Sequence, residues 1–273
     1  MSRPTSRTMG SSLSGPARAT IGTSIAGGAL GALTNAPHQL SHLFRGRFPT
    51  IAVTGMTGVG KTRLADTIAR RNPTVGTDDV GSATMERRTR KTTKGRGFRF
   101  RVVPGDNAAT RLSALDEVFH DEPVDGVLHV VAYGHATPRR AGGITGTATA
   151  TREELLAAEL DDWSITAHRI ASMAVRRDKP IWLVIVVTKT DLFEDDLDEA
   201  IRYYSPGSGS PFAAKLDELR SLAGGARLSV DVLPMCTEPG EATGKTARKD
   251  ADKRCSAMLT ALETRMAQLS GHV

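Results

Sequence analysis

Cysteine and long apolar runs are scarce in this chain. Its 273 residues include two cysteines, Cys236 and Cys255, in segments predicted to be a late strand and the last helix. Their spacing matches neither a metal-binding motif nor a disulfide framework, which argues against a disulfide-stabilised secreted domain and favours a reducing compartment. No stretch approaches the roughly 18 consecutive apolar residues that a membrane-spanning helix needs. A cytoplasmic protein is therefore expected.

The N-terminal region is interpreted as a flexible tail. Residues 1–47 are rich in Ser, Gly, Pro and Arg and show no amphipathic period. Two alternatives stay open for residues 21–36, a segment of small residues that follows several arginines. It could be a weak signal peptide, or its Gly27 and Gly31 could let a helix approach a partner closely in a membrane or an interface. The tail is the part that could place the protein at a membrane surface.

The rest of the chain has the composition of a folded domain. Hydrophobic residues make up 39% of the sequence, which is enough for one substantial core. The 36 Lys and Arg exceed the 30 Asp and Glu, and the formal charge of +6 favours phosphate-bearing or acidic partners. From residue 48 onward, short apolar runs alternate with segments of helical period, which predicts an α/β domain with a mainly parallel sheet. We interpret residues 48–273 as one such domain.

The periodicity predicts five strands and six helices. The polar residues 72–97 are predicted to be partly loop, and the loop 133–149 to be exposed and mobile. The most apolar strand, 181–187, is expected in the middle of the sheet. The predicted strands cover 50–54, 98–103, 126–132, 181–187 and 228–234, and the helices cover 61–70, 110–119, 152–176, 197–204, 211–222 and 250–269.

A phosphate-binding loop is the clearest motif. The pattern G-x-x-x-x-G-K-T lies between a predicted strand and a predicted helix, which is the context that this loop requires. Its glycines let successive backbone N–H groups point at phosphate oxygens, and the helix adds its positive N-terminal end. Lys61 would neutralise β and γ oxygens, and Thr62 would bind Mg²⁺. The loop consists of Gly55, Met56, Thr57, Gly58, Val59, Gly60, Lys61 and Thr62.

A second motif, T-K-T-D, follows the apolar strand and comprises Thr188, Lys189, Thr190 and Asp191. Here the chain resembles the translation-factor and Ras-like class of P-loop GTPases, in which N/T-K-x-D reads guanine. A carboxylate can accept from both the ring N–H and the exocyclic amine of guanine, a pairing that adenine cannot offer. The alternative is an exposed turn in which Thr190 or Asp191 caps a helix.

The resemblance implies a three-layer P-loop fold, with a mostly parallel sheet and helices on both faces, that binds GTP or GDP with Mg²⁺. It implies that Asp191 reads the base, that Lys189 lies along the purine, and that Thr188 braces the phosphate loop. In the class, a small-residue loop after the next strand touches the guanine carbonyl, and Cys236 and Thr237 stand at that position. They could instead be only a strand end.

The loops that sense the γ-phosphate in the class have partial counterparts. Thr84 is the predicted magnesium-binding threonine of the first loop, with Thr77 as a rival. Gly105 aligns with the glycine of D-x-x-G, but Val102 replaces the aspartate, and valine cannot hold Mg²⁺ through water. Asp106 stands where many members have glutamine, and it could polarise a water or cap the next helix. The resemblance thus gives catalytic roles to Lys61, Thr84, Gly105 and Asp106, and magnesium contacts to Thr62 and Thr84.

Arginine is abundant near these loops. Arg111, Arg139 and Arg140 are candidates for an internal catalytic arginine, and each could equally be a surface residue. A basic segment could dock an acidic protein, RNA or anionic lipid, although its alternating part suits a strand with one solvated face. It contains Arg87, Arg88, Arg90, Lys91, Lys94, Arg96, Arg99 and Arg101.

The expected function is a GTP-binding molecular switch. It would hydrolyse GTP slowly. Through Thr84, Gly105 and the neighbouring loops, a protein effector would sense whether GTP or GDP is bound. Two alternatives remain. One is a P-loop ATPase or kinase in which T-K-T-D is coincidental, and the other is a nucleotide-locked scaffold without hydrolysis, suggested by Val102 and Asp106.

Overall fold

The computed structural model describes residues 48–70, 84–91, 97–105, 108–137, 150–237 and 245–271. Within these ranges, strands and helices mostly alternate along the chain, with β2 and β3 adjacent and α4 and α5 adjacent. The strands are β1 (Thr50–Thr54), β2 (Glu86–Lys91), β3 (Gly97–Val102), β4 (Gly126–Val131), β5 (Ile181–Val187) and β6 (Leu228–Pro234). The helices are α1 (Lys61–Ala69), α2 (Ala108–Asp116), α3 (Arg152–Arg176), α4 (Leu197–Tyr204), α5 (Pro211–Ala223) and α6 (Lys245–Leu269).

The strands form a six-stranded sheet in the order β2-β3-β1-β4-β5-β6. β2 pairs antiparallel with β3, and every other pair is parallel. This confirms the mainly parallel sheet. The carboxyl ends of the five parallel strands therefore meet at one edge, where open α/β sheets bind their ligands.

Helices cover both faces of the sheet. On one face, α2, α3, α4 and α5 pack a core that includes Trp163 and Phe212. On the other face, α1 and α6 pack a second core that includes Leu64 and Leu262. Alternate residues of β1 enter the two cores, since Ala52 belongs to the first and Ile51 to the second. With a glycine-rich loop between β1 and α1, the fold is a three-layer α/β P-loop fold.

Local chemistry sets the start of two helices. α3 begins with a capping box, in which the Thr151 hydroxyl accepts from the Glu154 N–H and the Glu154 carboxylate accepts from the Thr151 N–H. α5 begins after Ser210, whose hydroxyl accepts from the Ala213 N–H, and has Pro211 at its first position. Both starts agree with the sequence prediction.

Three predictions need correction. β5 is the fifth strand and not the middle one, because β1 and β4 occupy the centre; helices on both faces bury β5 all the same. β2 forms within the stretch predicted to be partly loop, and its charged side chains suit an edge strand. Residues 133–136, predicted to be exposed, are mostly buried, and the N–H of the next residue, Thr137, donates to the Gly58 carbonyl oxygen. Residues 1–47 and 138–149 lie outside the described residues. Among the helices described, none has the length and apolar character needed to cross a bilayer.

The packing of β4 against β5 gives a testable prediction. A methyl group on Gly126 would lie 2.1 Å from the ring of Trp182, so alanine there forces the indole or the strand to move. We expect Gly126→Ala to lower the free energy of unfolding by about 1–3 kcal/mol, as overpacking typically does. Urea unfolding measures this. Gly225→Ala is the matched control, because a methyl group at Gly225 meets no atom within 4 Å. Equal effects of the two substitutions would contradict the prediction.

Candidate nucleotide site

The phosphate loop connects β1 to α1 and depends on three glycines. Gly55, Gly58 and Gly60 have φ angles of 130°, 76° and 92°, which side chains rarely adopt. A methyl group on Gly55 would lie 2.2 Å from the carbonyl oxygen of Val130, and one on Gly58 would lie 2.0 Å from that of Thr137. Gly55 thus lies against the backbone of β4, and Gly58 lies against the backbone of the segment that follows β4.

Lys61 lies at the start of α1 and turns back over the loop. Its Nζ donates to the carbonyl oxygens of Gly55 and Met56, each at 2.8 Å. The side chain is buried apart from 8% of its surface. These contacts hold the ammonium group above the loop, where phosphate oxygens would enter. Thr62 follows directly, at the positive end of the helix.

Thr188 links the end of β5 to the phosphate loop. Its hydroxyl lies 2.7 Å from the carbonyl oxygen of Val59 and 2.9 Å from that of Val131. The residue is 1% exposed. The hydroxyl of Thr188 therefore links the phosphate loop to the end of β4.

Residues 133–137 form a segment that we term the β4 strap, and it joins the two motifs. The Thr137 N–H donates to the Gly58 carbonyl oxygen at 3.1 Å. Lys189 Nζ donates to the His135 carbonyl oxygen at 2.8 Å and to the Thr137 hydroxyl at 2.5 Å. One residue of the strap thus contacts both the phosphate loop and the lysine of T-K-T-D.

A buried acid and two tyrosines hold the start of the β4 strap. Tyr133 has φ 50°, a left-handed conformation that is strained for a residue with a side chain. Its N–H donates to the Tyr204 hydroxyl at 3.2 Å, and the Ala132 N–H donates to Glu159 Oε1 at 2.9 Å. The Tyr204 hydroxyl in turn donates to Glu159 Oε2. Burial raises the pKa of Glu159, although these hydrogen bonds oppose the shift.

The predicted base-reading residues lie close together beyond β5 and β6. Asp191 lies in a short 3-10 turn, Thr190–Leu192, after β5. Cys236 lies just after β6 and is buried. Burial raises the pKa of its thiol, and a hydrogen bond with Cys255 and the charge of Asp191 raise it further. Thr237 follows, half-buried.

Helix α6 borders this base end of the site. Arg254 forms an ion pair of 2.9 Å with Glu194, three residues after Asp191. The Thr190 hydroxyl contacts the Met258 sulfur at 3.9 Å. These contacts tie the turn that carries Asp191 to the long helix α6.

The predicted γ-phosphate loop lies against the phosphate loop. A methyl group on Gly105 would lie 2.8 Å from Lys61 Nζ and 2.9 Å from the Thr57 backbone nitrogen. Val102 is 2% exposed and packs in the core beside α1, so it supplies no polar atom to the site. Thr84 is exposed just before β2. Asp106, Thr77, Arg139 and Arg140 lie outside the described residues.

A charged cluster lies beneath the phosphate loop. The Nδ1 atom of His129, on β4, shares a hydrogen bond of 3.0 Å with the Thr54 hydroxyl at the end of β1. Arg111 on α2 forms an ion pair of 2.6 Å with Asp162 on α3. Burial, together with the charges of Arg111 and Lys61, lowers the pKa of His129 to about 3. Burial raises the pKa of Asp162, while the same two cations oppose the shift.

The basic segment is largely paired within the domain. Arg88 contacts Asp66 at 2.5 Å and Glu86 at 2.7 Å. Phe98 and Phe100 enter the core while Arg99 points to solvent, as the alternation predicts. Lys94 and Arg96 lie outside the described residues. Four of the arginines thus meet acids of the same domain, the further pairs being Arg87 with Glu117, Arg90 with Glu263, and Arg101 with Glu122.

Sequence reasoning missed several residues that organise the site. Thr137 follows a strand in an unremarkable loop, and no local pattern marks its contact with Lys189. Glu159 and Asp162 carry a usable signal, because both acids fall on the face of α3 that also carries Trp163 and enters the core. Charged residues on an apolar helix face are seldom buried without a specific partner.

Comparisons with known proteins identify distant structural likenesses. No protein-family model matches the chain, and no curated protein matches it. It is similar to the signal recognition particle receptor SRb-GTP/SRX complex of Chaetomium thermophilum, with 14% identity, 72% of this chain and 96% of that chain covered, and a TM-score of 0.44. It is also similar to the bacterial selenocysteine-specific elongation factor EF-Sec, with 13% identity, coverage of 79% and 29%, and a TM-score of 0.41.

A third similar structure is S. thermophilus NFeoB bound to GDP.AlF4-, with 15% identity and a TM-score of 0.39. The alignment covers 78% of this chain and 64% of that one. This chain therefore spans less than a third of EF-Sec and less than two thirds of NFeoB.

The buried His129 predicts a pH dependence of stability. Its pKa is about 3 in the folded protein and near 6.5 in the unfolded chain. As the pH falls, the unfolded chain binds the proton first, so the contribution of His129 to stability is complete above pH ~6.5 and is lost progressively toward pH ~3. At pH 5 the expected loss is about 2 kcal/mol, since one pKa unit corresponds to about 1.4 kcal/mol.

The variant His129→Gln checks this prediction because glutamine keeps polar atoms near Thr54 but does not titrate. The difference in unfolding free energy between the wild type and this variant, measured with urea, should narrow by about 2 kcal/mol from pH 7 to pH 5. The exposed His120 supplies the control His120→Gln, which should have little effect at either pH. A difference for His129→Gln that stays constant with pH would contradict the assignment.

Proposed function

We propose that this chain is a GTP-binding protein that acts as a molecular switch on a protein partner and hydrolyses GTP slowly. The observation that carries the proposal is the junction of its two motifs. The Thr188 hydroxyl lies 2.7 Å from the phosphate loop, and Lys189 reaches the same loop through Thr137. A T-K-T-D turn that only caps a helix is not expected to contact the phosphate loop, so the junction favours a guanine-reading role.

Asp191 is proposed to read the base. It follows Lys189 in the turn at the carboxyl end of β5, beside the thiol of Cys236. A carboxylate at this position can accept two hydrogen bonds from guanine and none of equal geometry from adenine. A paired contact of this kind discriminates between bases by about 1–3 kcal/mol. Cys236 and Thr237 are proposed to border the guanine carbonyl.

Phosphate binding is assigned to the loop and to Lys61. The left-handed glycines turn backbone N–H groups inward, and the N-terminus of α1 adds positive potential. Magnesium, which neutralises phosphate charge when bound, suits the hydroxyl of Thr62 directly after Lys61. Thr84 is the proposed second hydroxyl. Val102 does not fit this ion, because it is apolar and packed in the core.

Slow hydrolysis is proposed from the same residues. P-loop GTPases turn over slowly unless an arginine reaches the transition state. Arg111 is held by the buried Asp162, and Val102 offers no oxygen to the site. Gly105, which lies against Lys61, is the proposed sensor of the γ-phosphate. The apolar packing of Val102 also favours a second candidate, a scaffold that binds nucleotide without hydrolysing it.

Calorimetry on nucleotide-stripped protein tests the function. GTP and GDP should bind more tightly than ATP, and Mg²⁺ should strengthen binding. Lys61→Ala should abolish binding because it removes the cation held over the loop, whereas Lys215→Ala, at a surface ion pair, should not. Selective ATP binding would instead indicate an ATPase or kinase. Tight GTP binding without phosphate release over hours would indicate the scaffold, and no binding of any nucleotide would refute the proposal.

The base contact has its own test. Asp191→Asn should weaken guanine binding by about 5- to 150-fold, which corresponds to about 1–3 kcal/mol. It should also shift the preference toward xanthine, because asparagine donates a hydrogen bond where xanthine carries a carbonyl. Competition between GTP and XTP measures the shift. Asp195→Asn, at an exposed position four residues later, is the control and should leave the preference unchanged. An unchanged preference in Asp191→Asn would show that Asp191 does not read the base.

A further inference from the structure

A buried ion pair connects the helix after the Gly105 loop to the helix behind it. Arg111 lies on α2 and Asp162 on α3, and Arg111 Nη2 is 2.6 Å from Asp162 Oδ1. The two side chains are only 13% and 5% exposed. The same nitrogen also lies 3.4 Å from the Asp162 carbonyl oxygen. The pair therefore fixes α2 to one position on α3.

This ion pair lies close to the phosphate site. α2 begins just after Gly105, and Gly105 lies against Lys61 and Thr57. The charge of Lys61 acts on Asp162 directly, where it opposes the rise in pKa that burial causes. Because α2 begins three residues after Gly105, a fixed α2 limits how far Gly105 can lie from it.

Stability alone is a poor explanation for the pair. Burying two charges costs more than a well-packed apolar pair of the same size would. Among the described residues, none donates a hydrogen bond to the second carboxylate oxygen of Asp162, although that atom is buried. A second ion pair joins the same two helices, Arg169 with Asp116 at 2.8 Å, and it lies at the surface. The helices could thus be linked without a buried charge.

We infer that Arg111 and Asp162 are positioning residues that set the preference for a nucleoside triphosphate over a diphosphate. The inference rests on the proposed nucleotide binding. Only a γ-phosphate would reach Gly105, whereas the α- and β-phosphates contact the loop around Lys61. Because the ion pair holds α2 on α3, it limits the positions open to Gly105, so a triphosphate that contacts Gly105 would lose less conformational entropy on binding.

The double variant Arg111→Met/Asp162→Leu tests the inference. It removes both charges and keeps apolar volume, so neither charge remains buried alone. Calorimetry gives the dissociation constants of GDP and of a non-hydrolysable GTP analogue. We expect the preference for the triphosphate to fall about tenfold, while GDP affinity stays near the wild-type value. A change of about tenfold is an ordinary size for the coupling between linked sites. A general loss of structure would weaken both nucleotides alike.

The surface pair is the matched control, and Arg169→Ala should leave the preference unchanged. If the double variant fails to fold, Asp162→Asn replaces it, since this substitution removes one charge with almost no change in shape. A smaller fall in the preference for the triphosphate is then expected. An unchanged preference, or equal weakening of both nucleotides, overturns the inference. If the wild type binds GTP and GDP and the double variant keeps the same preference, only this inference is refuted. If the wild type binds neither nucleotide, the proposed function is refuted as well.

Discussion

The backbone of the phosphate loop packs directly on the chain that leaves β4, and the rest of the site depends on this close approach. No side chain fits at Gly55 or Gly58, because a methyl group there would lie 2.2 Å and 2.0 Å from carbonyl oxygens of Val130 and Thr137. The loop and the β4 strap therefore cannot shift independently. Thr188 and Lys189 attach the end of β5 to the same unit. Contacts thus link three strand ends at one edge of the sheet.

The linked edge contains a locally strained residue and buried polar groups. Tyr133 has a left-handed φ of 50°, a conformation that costs of order 1–3 kcal/mol for such a residue. Its N–H and that of Ala132 are nevertheless satisfied, by Tyr204 and by the buried Glu159. The polar network lies behind the strap and away from solvent, so it can fix the strap in one conformation. A site that must hold two motifs in register needs such support.

The sequence predicted those parts that depend on neighbours along the chain. The phosphate loop, the strand before it and the helix after it are local, and so is the fully buried strand that ends at Thr188. The β4 strap could not be predicted, because Thr137 contacts Gly58 and Lys189 across long sequence separations. The prediction that β5 lies in the middle of the sheet is wrong for a related reason. The apolar sequence of β5 indicates that both of its faces are covered, but it does not indicate which strands lie beside it. Arg111 was one of several candidate arginines until its partner on α3 was known.

The charges of the protein also differ in effect according to where they lie, which the composition alone does not show. The formal charge of +6 favours phosphate-bearing or acidic partners, yet arginines of the basic segment meet acids of the same domain. Beneath the phosphate loop, the pairing of Arg111 with Asp162 offsets one cation, and His129 stays neutral because burial lowers its pKa to about 3. Lys61 lies over the loop, where its Nζ donates to the carbonyl oxygens of Gly55 and Met56. The attraction for phosphate that we propose thus depends on the position of one ammonium group and on oriented backbone N–H groups rather than on net charge.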